Sequence, residues 1–196
     1  MSCWKIKNIV KLLCILNPHV NNINQMKKIL VFLSLIITAG CSQAQDAAVK
    51  NPSPKIQNIP AFHILSKDSV YITNANLKKG KAVMFVYFSP DCSHCQRLMY
   101  ELKPHIADFK NIQVVLVTFT QINMLKMLKE FHRDYIFAAQ PNVLMGTEYP
   151  DYKIQRYYSV ATTPYIAIYG RNGKLVEAFD KVPKIPELIA AVKKAE

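Results

Sequence analysis

Two cysteines separated by two residues, Cys92 and Cys95, directly follow an apolar run and constrain this 196-residue chain more than any other feature. The run over residues 85–88 is typical of a buried strand, and residues 89–91 of a turn into a helix. On a helix this spacing places the two sulfur atoms about one turn apart, close enough for a disulfide. Cys92 would then lie at the helix N-terminus, where free backbone N–H groups and the dipole stabilise a thiolate. The sequence therefore predicts a redox-active dithiol.

A cysteine pair with this spacing is also half of a common zinc site, which needs two further Cys or His ligands at metal-ligand spacing. The other cysteines, Cys3, Cys14 and Cys41, lie far upstream, and His105 and His132 are isolated. We therefore expect a redox dithiol rather than a metal site, and no cofactor.

The net charge of +12 is spread unevenly along the chain. The first forty residues contain five lysines and no acidic residue, which leaves +7 for the part from Cys41 onward. That part has no run of Lys and Arg interleaved with aromatic residues, so nucleic-acid binding is not expected.

Residues 26–40 have the features of an export signal. A basic start at 26–28 precedes a short apolar stretch at 29–37, which is well below the roughly 20 residues that span a bilayer. The small residues before Cys41 resemble the bacterial lipobox, in which the cysteine is acylated and becomes the new N-terminus. An uncleaved anchor helix and an ordinary signal peptide cut nearby are the alternatives.

These features divide the chain into four parts. Residues 1–25 are an upstream extension, 26–40 a lipoprotein-type signal peptide, 41–59 a flexible tether rich in Gln, Ala, Asn, Ser and Pro, and 60–196 the folded domain. The expected location is the bacterial cell envelope, facing the periplasm and anchored by lipid, where disulfides persist.

The apolar patterns of the folded domain predict alternating strands and helices. No helix or strand is predicted for the tyrosine-rich residues 149–158. In chain order the predictions are a β-hairpin at 62–72, a buried strand at 82–88, a helix from Cys95 to Phe109 kinked at Pro104, a strand at 112–119, a helix at 123–135, a short strand at 141–145, a strand at 165–169, an Asn-Gly turn into a strand at 175–179, and a helix at 183–195.

This order of elements resembles that of the thioredoxin superfamily, and most closely the exported TlpA/ResA-like thiol–disulfide oxidoreductases. The resemblance covers residues 60–196. Its most specific parts are the segment 88–95 and the pair Thr163-Pro164, about 70 residues later. It implies an α/β thioredoxin fold, with a central mixed β-sheet flanked by helices and an N-terminal β-hairpin extension.

The resemblance also implies roles for individual residues. Cys92 is the nucleophile that attacks a substrate disulfide, and Cys95 resolves the mixed disulfide. Pro164 is cis and lies against the dithiol, with the Thr163 backbone beside it to bind an incoming cysteine peptide. The implied partners are disulfide or dithiol proteins and a redox partner, with the membrane reached through the lipid anchor.

The two residues inside the motif, Ser93 and His94, are supporting site residues, and a histidine at position 94 can stabilise the Cys92 thiolate. No additional dimerisation element is evident, so a monomer is expected.

The sequence departs from the family pattern at three positions. Val86 stands where thioredoxin has a buried acid, Asp91 where it has Trp, and Leu98 where TlpA-like proteins carry an acid. The group that takes a proton from Cys95 is therefore not identified. Asp91 is an anion near Cys92 and would oppose its thiolate.

Three other functions remain alternatives. Copper-handling proteins of the Sco type space their cysteines by three and add a distant histidine, whereas here the spacing is two and no histidine follows His132. Peroxiredoxins place their cysteine in a Pro-x-x-x-Thr/Ser-x-x-Cys pattern, which Pro90-Asp91-Cys92 does not match. A binding module that has lost its chemistry is disfavoured because both sulfurs are present.

Overall fold

The structure, a computed structural model, describes residues 54–121 and 123–196. Predictions for residues 1–53, including the signal peptide, the acylation of Cys41 and most of the tether, lie outside these residues. The strands are β1 His63–Ser66, β2 Tyr71–Thr73, β3 Val83–Phe88, β4 Gln113–Thr118, β5 Val143–Thr147, β6 Tyr165–Tyr169 and β7 Leu175–Phe179; the α-helices are α1 Ser93–Leu102, α2 Met124–Asp134, α3 Lys153–Tyr158 and α4 Ile185–Ala195.

The strands of the described residues form one mixed sheet in the order β2-β1-β5-β4-β3-β6-β7. Strand β3 pairs in parallel with β4, and β4 in parallel with β5, while β6 is antiparallel to β3. Every residue of β3 and β4 is buried, as expected for continuous apolar strands covered on both faces. The predicted α/β thioredoxin fold, with its N-terminal hairpin β1–β2, is confirmed.

Alternate residues of β3 point into two separate cores. Val86 and Phe88 pack with α1, α2 and α4 on one face of the sheet. Phe85 and Tyr87 pack with α3 on the other face. Because Cys92 is the N-cap of α1 and Cys95 lies within it, the core on the first face supports the predicted dithiol.

Two elements differ from the sequence predictions. Helix α1 ends at Leu102 and continues as a 3-10 helix over Lys103–Phe109, so the chain changes helix type rather than kinking within one long helix. Pro104 lies in the first turn of the 3-10 helix. Backbone N–H groups there have no acceptor within the helix, so a residue without an N–H costs no hydrogen bond. Within the segment 149–158, for which no element was predicted, residues Lys153–Tyr158 form α3.

The folded domain begins before residue 60. Residues 54–56 form a 3-10 turn, and Ile56 is buried against the second face of the sheet. Asn58 bridges to Lys174, and its carbonyl accepts a hydrogen bond from the Tyr157 hydroxyl at 2.6 Å. The last residues of the predicted tether are therefore part of the domain, because their backbone groups and one apolar side chain find partners on it.

No helix within the described ranges is both long and apolar enough to cross a bilayer.

Candidate active site

The turn after β3 places Cys92 at the N-cap of α1. The Cys92 N–H donates to the Ser89 carbonyl at 3.1 Å, and the Cys92 carbonyl accepts the first hydrogen bond of the helix from the Gln96 N–H at 3.0 Å. The Gln96 side chain also donates to the Pro90 carbonyl at 2.8 Å. Helix and turn are thus fixed to each other on both sides of the dithiol. The sequence-based analysis did not identify Gln96. The only feature that could have indicated its role is that it is a polar residue directly after the Cys-x-x-Cys motif.

The two cysteines differ sharply in exposure. Both are free thiols, but Cys92 is partly exposed and Cys95 is 0% exposed within the core beneath α1. An incoming disulfide can therefore reach the sulfur of Cys92 but not that of Cys95.

The Thr163-Pro164 pair lies against the dithiol, although it is 71 residues away in the chain. The Cys92 thiol donates to the Thr163 carbonyl, with 3.5 Å between Sγ and O. The Thr163–Pro164 peptide bond is cis, as the resemblance implied, and Pro164 is buried. The structure thus brings together Cys92, Cys95, Thr163 and Pro164.

The surroundings of Cys92 favour its thiolate. Burial by itself raises the pKa of the Cys92 thiol, but hydrogen bonds outweigh this effect and bring the pKa below its ordinary value. They come from the Thr163 side chain, from the backbone N–H groups of Cys95 and His94, and from the Cys95 thiol. The backbone contribution is the one expected at a helix N-terminus.

The surroundings of Cys95 favour its thiol. Burial raises the pKa of Cys95 to about 12, and its hydrogen bond with Cys92 raises it as well, against opposing hydrogen bonds from the Ser89 backbone and the Thr163 side chain. At neutral pH the pair therefore consists of one activated sulfur at the surface and one protonated sulfur in the core.

This split predicts the pH dependence of alkylation by iodoacetamide, which reacts with the thiolate. We expect the reduced protein to be modified at Cys92 with a midpoint below that of a free cysteine, because a lowered pKa extends the thiolate to lower pH. Cys95, with a pKa of about 12, should remain unmodified at neutral pH. Peptide mass spectrometry across a pH series measures both; a Cys92 midpoint at or above that of a free cysteine would contradict the geometry.

The other two residues of the motif, Ser93 and His94, are exposed on the first turn of α1. For His94 it is the backbone N–H, not the imidazole, that is among the groups lowering the pKa of Cys92. Substitution of His94 therefore tests whether its imidazole stabilises the Cys92 thiolate, as the sequence suggested.

We expect His94→Ala to keep the alkylation midpoint of Cys92 low, because alanine retains the backbone N–H. Thr163→Val is the matched comparison: it removes a side-chain hydrogen bond to the same sulfur and should raise the midpoint. If His94→Ala raises the midpoint as much as Thr163→Val does, the imidazole stabilises the thiolate after all.

The positions of the missing family acids are apolar and fully buried, since Val86 and Leu98 are both 0% exposed. Asp91 is exposed and its carboxylate accepts a hydrogen bond from the Ser89 hydroxyl, so it stabilises the turn. No group of three or more His, Cys, Asp or Glu within the described ranges is arranged to hold a metal ion.

One buried acid that sequence reasoning overlooked is Glu148, which is 2% exposed and follows β5. Its carboxylate accepts hydrogen bonds from the Tyr87 hydroxyl at 2.8 Å and from the N–H groups of Ile154 and Gln155 at 2.6 and 3.0 Å. Tyr87 belongs to the core on the face opposite the dithiol, so this acid supports α3 rather than the cysteines. Nothing in the local sequence, an acidic residue followed by tyrosines, indicated that the Glu148 side chain would be buried.

Comparison with known proteins identifies the family. The chain matches the model of the thioredoxin-like domain over residues 72–195, which include the dithiol and Thr163-Pro164. No curated protein sequence gives a significant match.

Solved structures share the fold at low sequence identity. A secreted disulfide oxidoreductase from Mycobacterium tuberculosis is 17% identical, with 72% of this chain and 98% of that chain covered and a TM-score of 0.56. The thioredoxin domain of a thiol-disulfide oxidoreductase from Bacteroides vulgatus is 17% identical, with 71% and 95% covered and a TM-score of 0.57. A peroxiredoxin-like protein from Aquifex aeolicus is 16% identical, with 71% and 86% covered and a TM-score of 0.57.

At these identities the structural likeness establishes the fold, which hosts more than one chemistry, and the choice between chemistries rests on the site. The family match covers more than half of the chain and includes the motifs that form that site. This chain belongs to the thioredoxin-like domain family.

Proposed function

We propose that this protein is a thiol–disulfide oxidoreductase acting on protein substrates, with Cys92 as nucleophile and Cys95 as resolving cysteine. The observation that carries the proposal is the asymmetry of the pair: a partly exposed sulfur with a lowered pKa adjoins a buried sulfur with a raised one. A structural pair of cysteines needs no such difference, whereas an attacking and a resolving thiol do.

The reaction takes place in two exchanges. The Cys92 thiolate attacks one sulfur of a substrate disulfide, the substrate S–S bond breaks, and the other substrate sulfur leaves as a thiolate that takes up a proton. Cys95 then loses its proton and attacks the Cys92 sulfur, which releases the second substrate thiolate and forms the Cys92–Cys95 disulfide. The substrate gains two electrons and the dithiol loses two. The reverse sequence oxidises a substrate dithiol.

The Thr163 backbone supports substrate binding in this scheme. Its carbonyl lies 3.5 Å from the Cys92 sulfur, so an extended peptide whose cysteine reaches Cys92 would pass beside Thr163. Strand-like hydrogen bonds with the Thr163 backbone would hold any sequence, because they use main-chain groups only. We therefore propose a range of protein substrates rather than a single one.

The proposed site of action is the bacterial cell envelope, as in the TlpA/ResA-like proteins. The support is in the sequence: the signal-like residues 26–40 and the acylation candidate Cys41. A membrane-tethered monomer would reach disulfide proteins outside the cytoplasm and would need a redox partner there to reset its dithiol.

Equilibration of the purified protein with glutathione redox buffers tests the proposal. We expect a two-electron transition between dithiol and Cys92–Cys95 disulfide, with a potential in the range from about −270 to −120 mV that thioredoxin-fold proteins cover. The value assigns the direction, since a low potential indicates a reductase and a high one an oxidase. Failure of Cys92 and Cys95 to form a disulfide with each other in any buffer would refute the proposed function.

A further inference from the structure

A cavity of about 150 Å³ lies at the edge of the sheet opposite the dithiol. The parallel strands β3, β4 and β5 begin there, and the segments that precede these strands supply the walls. Its polar lining is basic or amide in character and consists of Asn76, Lys78, Lys81, Lys110, Asn111 and Asn142, together with the strand residue Gln113.

The charge around this cavity is of one sign. Lys78, Lys81 and Lys110 line it, and no acidic residue of the described ranges 54–121 and 123–196 does. The segments 74–82 and 109–114 contain four lysines and no Asp or Glu. None of the three lining lysines forms an ion pair with another described residue, whereas the exposed Lys126 pairs with Glu130 and the exposed Lys193 with Asp108. Among the described residues, no ion pair therefore compensates the positive charge of these three lysines.

The walls of the cavity are held in place by amide side chains. The Gln113 side chain is buried, accepts a hydrogen bond from the Lys78 N–H at 2.5 Å and donates to the Lys78 carbonyl at 3.0 Å. The Asn142 side chain donates to the carbonyls of Phe109 and Ile112 at 2.8 and 2.9 Å. These bonds connect the three segments to one another, so the cavity is formed before any ligand arrives and binding requires little ordering of the backbone.

We propose that this cavity binds a single phosphate group, either free or in a lipid headgroup. Its volume of about 150 Å³ is sufficient for one tetrahedral anion. Lysine ammonium groups are compact donors that commonly bind phosphate as point charges. Three lining lysines, with no acidic residue among the described lining residues, favour an anion with more than one negative charge.

The position of the cavity separates this binding from the redox chemistry. The six residues of β3 span about 20 Å between the cavity edge and the dithiol edge. A phosphate group bound at the cavity would leave Cys92 accessible, and a membrane bound there would lie behind the catalytic edge. Disulfide reduction should therefore proceed at the same rate with and without phosphate.

The test compares the full chain with two double variants of equal charge. Lys81→Gln with Lys110→Gln changes the cavity, whereas Lys129→Gln with Lys181→Gln changes two exposed lysines that do not line it. All three proteins keep residues 1–53, so any difference between them reports on the substituted lysines. Because all four side chains are exposed, both variants are expected to fold, and thermal unfolding without ligand confirms this.

One arm uses inorganic phosphate at constant ionic strength and the other uses vesicles of phosphatidylglycerol in phosphatidylcholine. In at least one arm the cavity variant should bind about tenfold or more weakly than the unsubstituted chain and the control variant, as expected for loss of charge-assisted hydrogen bonds. A difference with free phosphate assigns a soluble anion, and a difference with vesicles alone assigns the headgroup. Equal weakening of both variants would show diffuse attraction and overturn the proposal, as would no binding in either arm.

Discussion

Cys92→Ser is expected to lose disulfide reduction by a factor on the order of 10³ or more, the largest effect of any substitution considered for this protein. Cys92 is the partly exposed sulfur of the pair, with a pKa below its ordinary value, and a serine hydroxyl supplies no comparable anion at neutral pH. Insulin reduction with a chemical reductant as electron source measures the rate. Retention of more than a few per cent of the activity would contradict the assignment of the nucleophile.

Cys95→Ser provides the second half of this experiment. The first exchange needs Cys92 alone, so this variant should form a mixed disulfide with substrate and fail to release it. The trapped complex is detected by mass spectrometry of non-reduced protein and disappears when reductant is added. In the full 196-residue chain, Cys14→Ser removes a cysteine to which the sequence assigns no function, so it is the matched control and should keep full activity. A trapped complex through Cys95 in the Cys92→Ser protein would reverse the proposed roles.

Glu148→Ala is expected to cause the largest loss of stability, about 3–5 kcal/mol in the free energy of unfolding. The carboxylate is 2% exposed and accepts three hydrogen bonds, from the Tyr87 hydroxyl and from the N–H groups of Ile154 and Gln155. Alanine would leave these donors without an acceptor in a buried site, at roughly 1–3 kcal/mol each. For a domain of this size the unfolding midpoint should fall by about 10 °C or more.

Two controls separate the buried network from a general effect of removing charge. Tyr87→Phe deletes one of the three hydrogen bonds and should cost about a third as much as Glu148→Ala. Asp134→Ala removes an exposed carboxylate that pairs with Arg133 and should leave the free energy of unfolding close to that of the unsubstituted protein, because solvent screens an exposed ion pair. Chemical denaturation of the reduced proteins measures all three. A Glu148→Ala protein as stable as Asp134→Ala would show that the carboxylate does not hold α3.

Much of the fold could be predicted from local patterns. The continuous apolar runs at β3 and β4 became the two fully buried central strands, since such runs suit parallel strands covered on both faces. The prediction of an Asn-Gly turn before β7 was also correct. Gly173 adopts a positive φ of 72°, which glycine accommodates without strain. Helix α3, for which no element was predicted, and the burial of Ile56 ahead of residue 60 depend on tertiary contacts, since the local sequence carries no clear periodicity there.

In the candidate site, too, some features follow from the local sequence and others only from the tertiary structure. The sequence by itself determined that two cysteines one helical turn apart follow a buried strand, because spacing and helix capping act within a few residues. Only the tertiary structure decided which sulfur is exposed, since the burial that raises the pKa of Cys95 comes from residues throughout the core. The contact between Cys92 and Thr163 and the buried position of Glu148 likewise depend on the order of strands in the sheet. Local spacing placed the reactive atoms on one helix, and long-range packing made them chemically different.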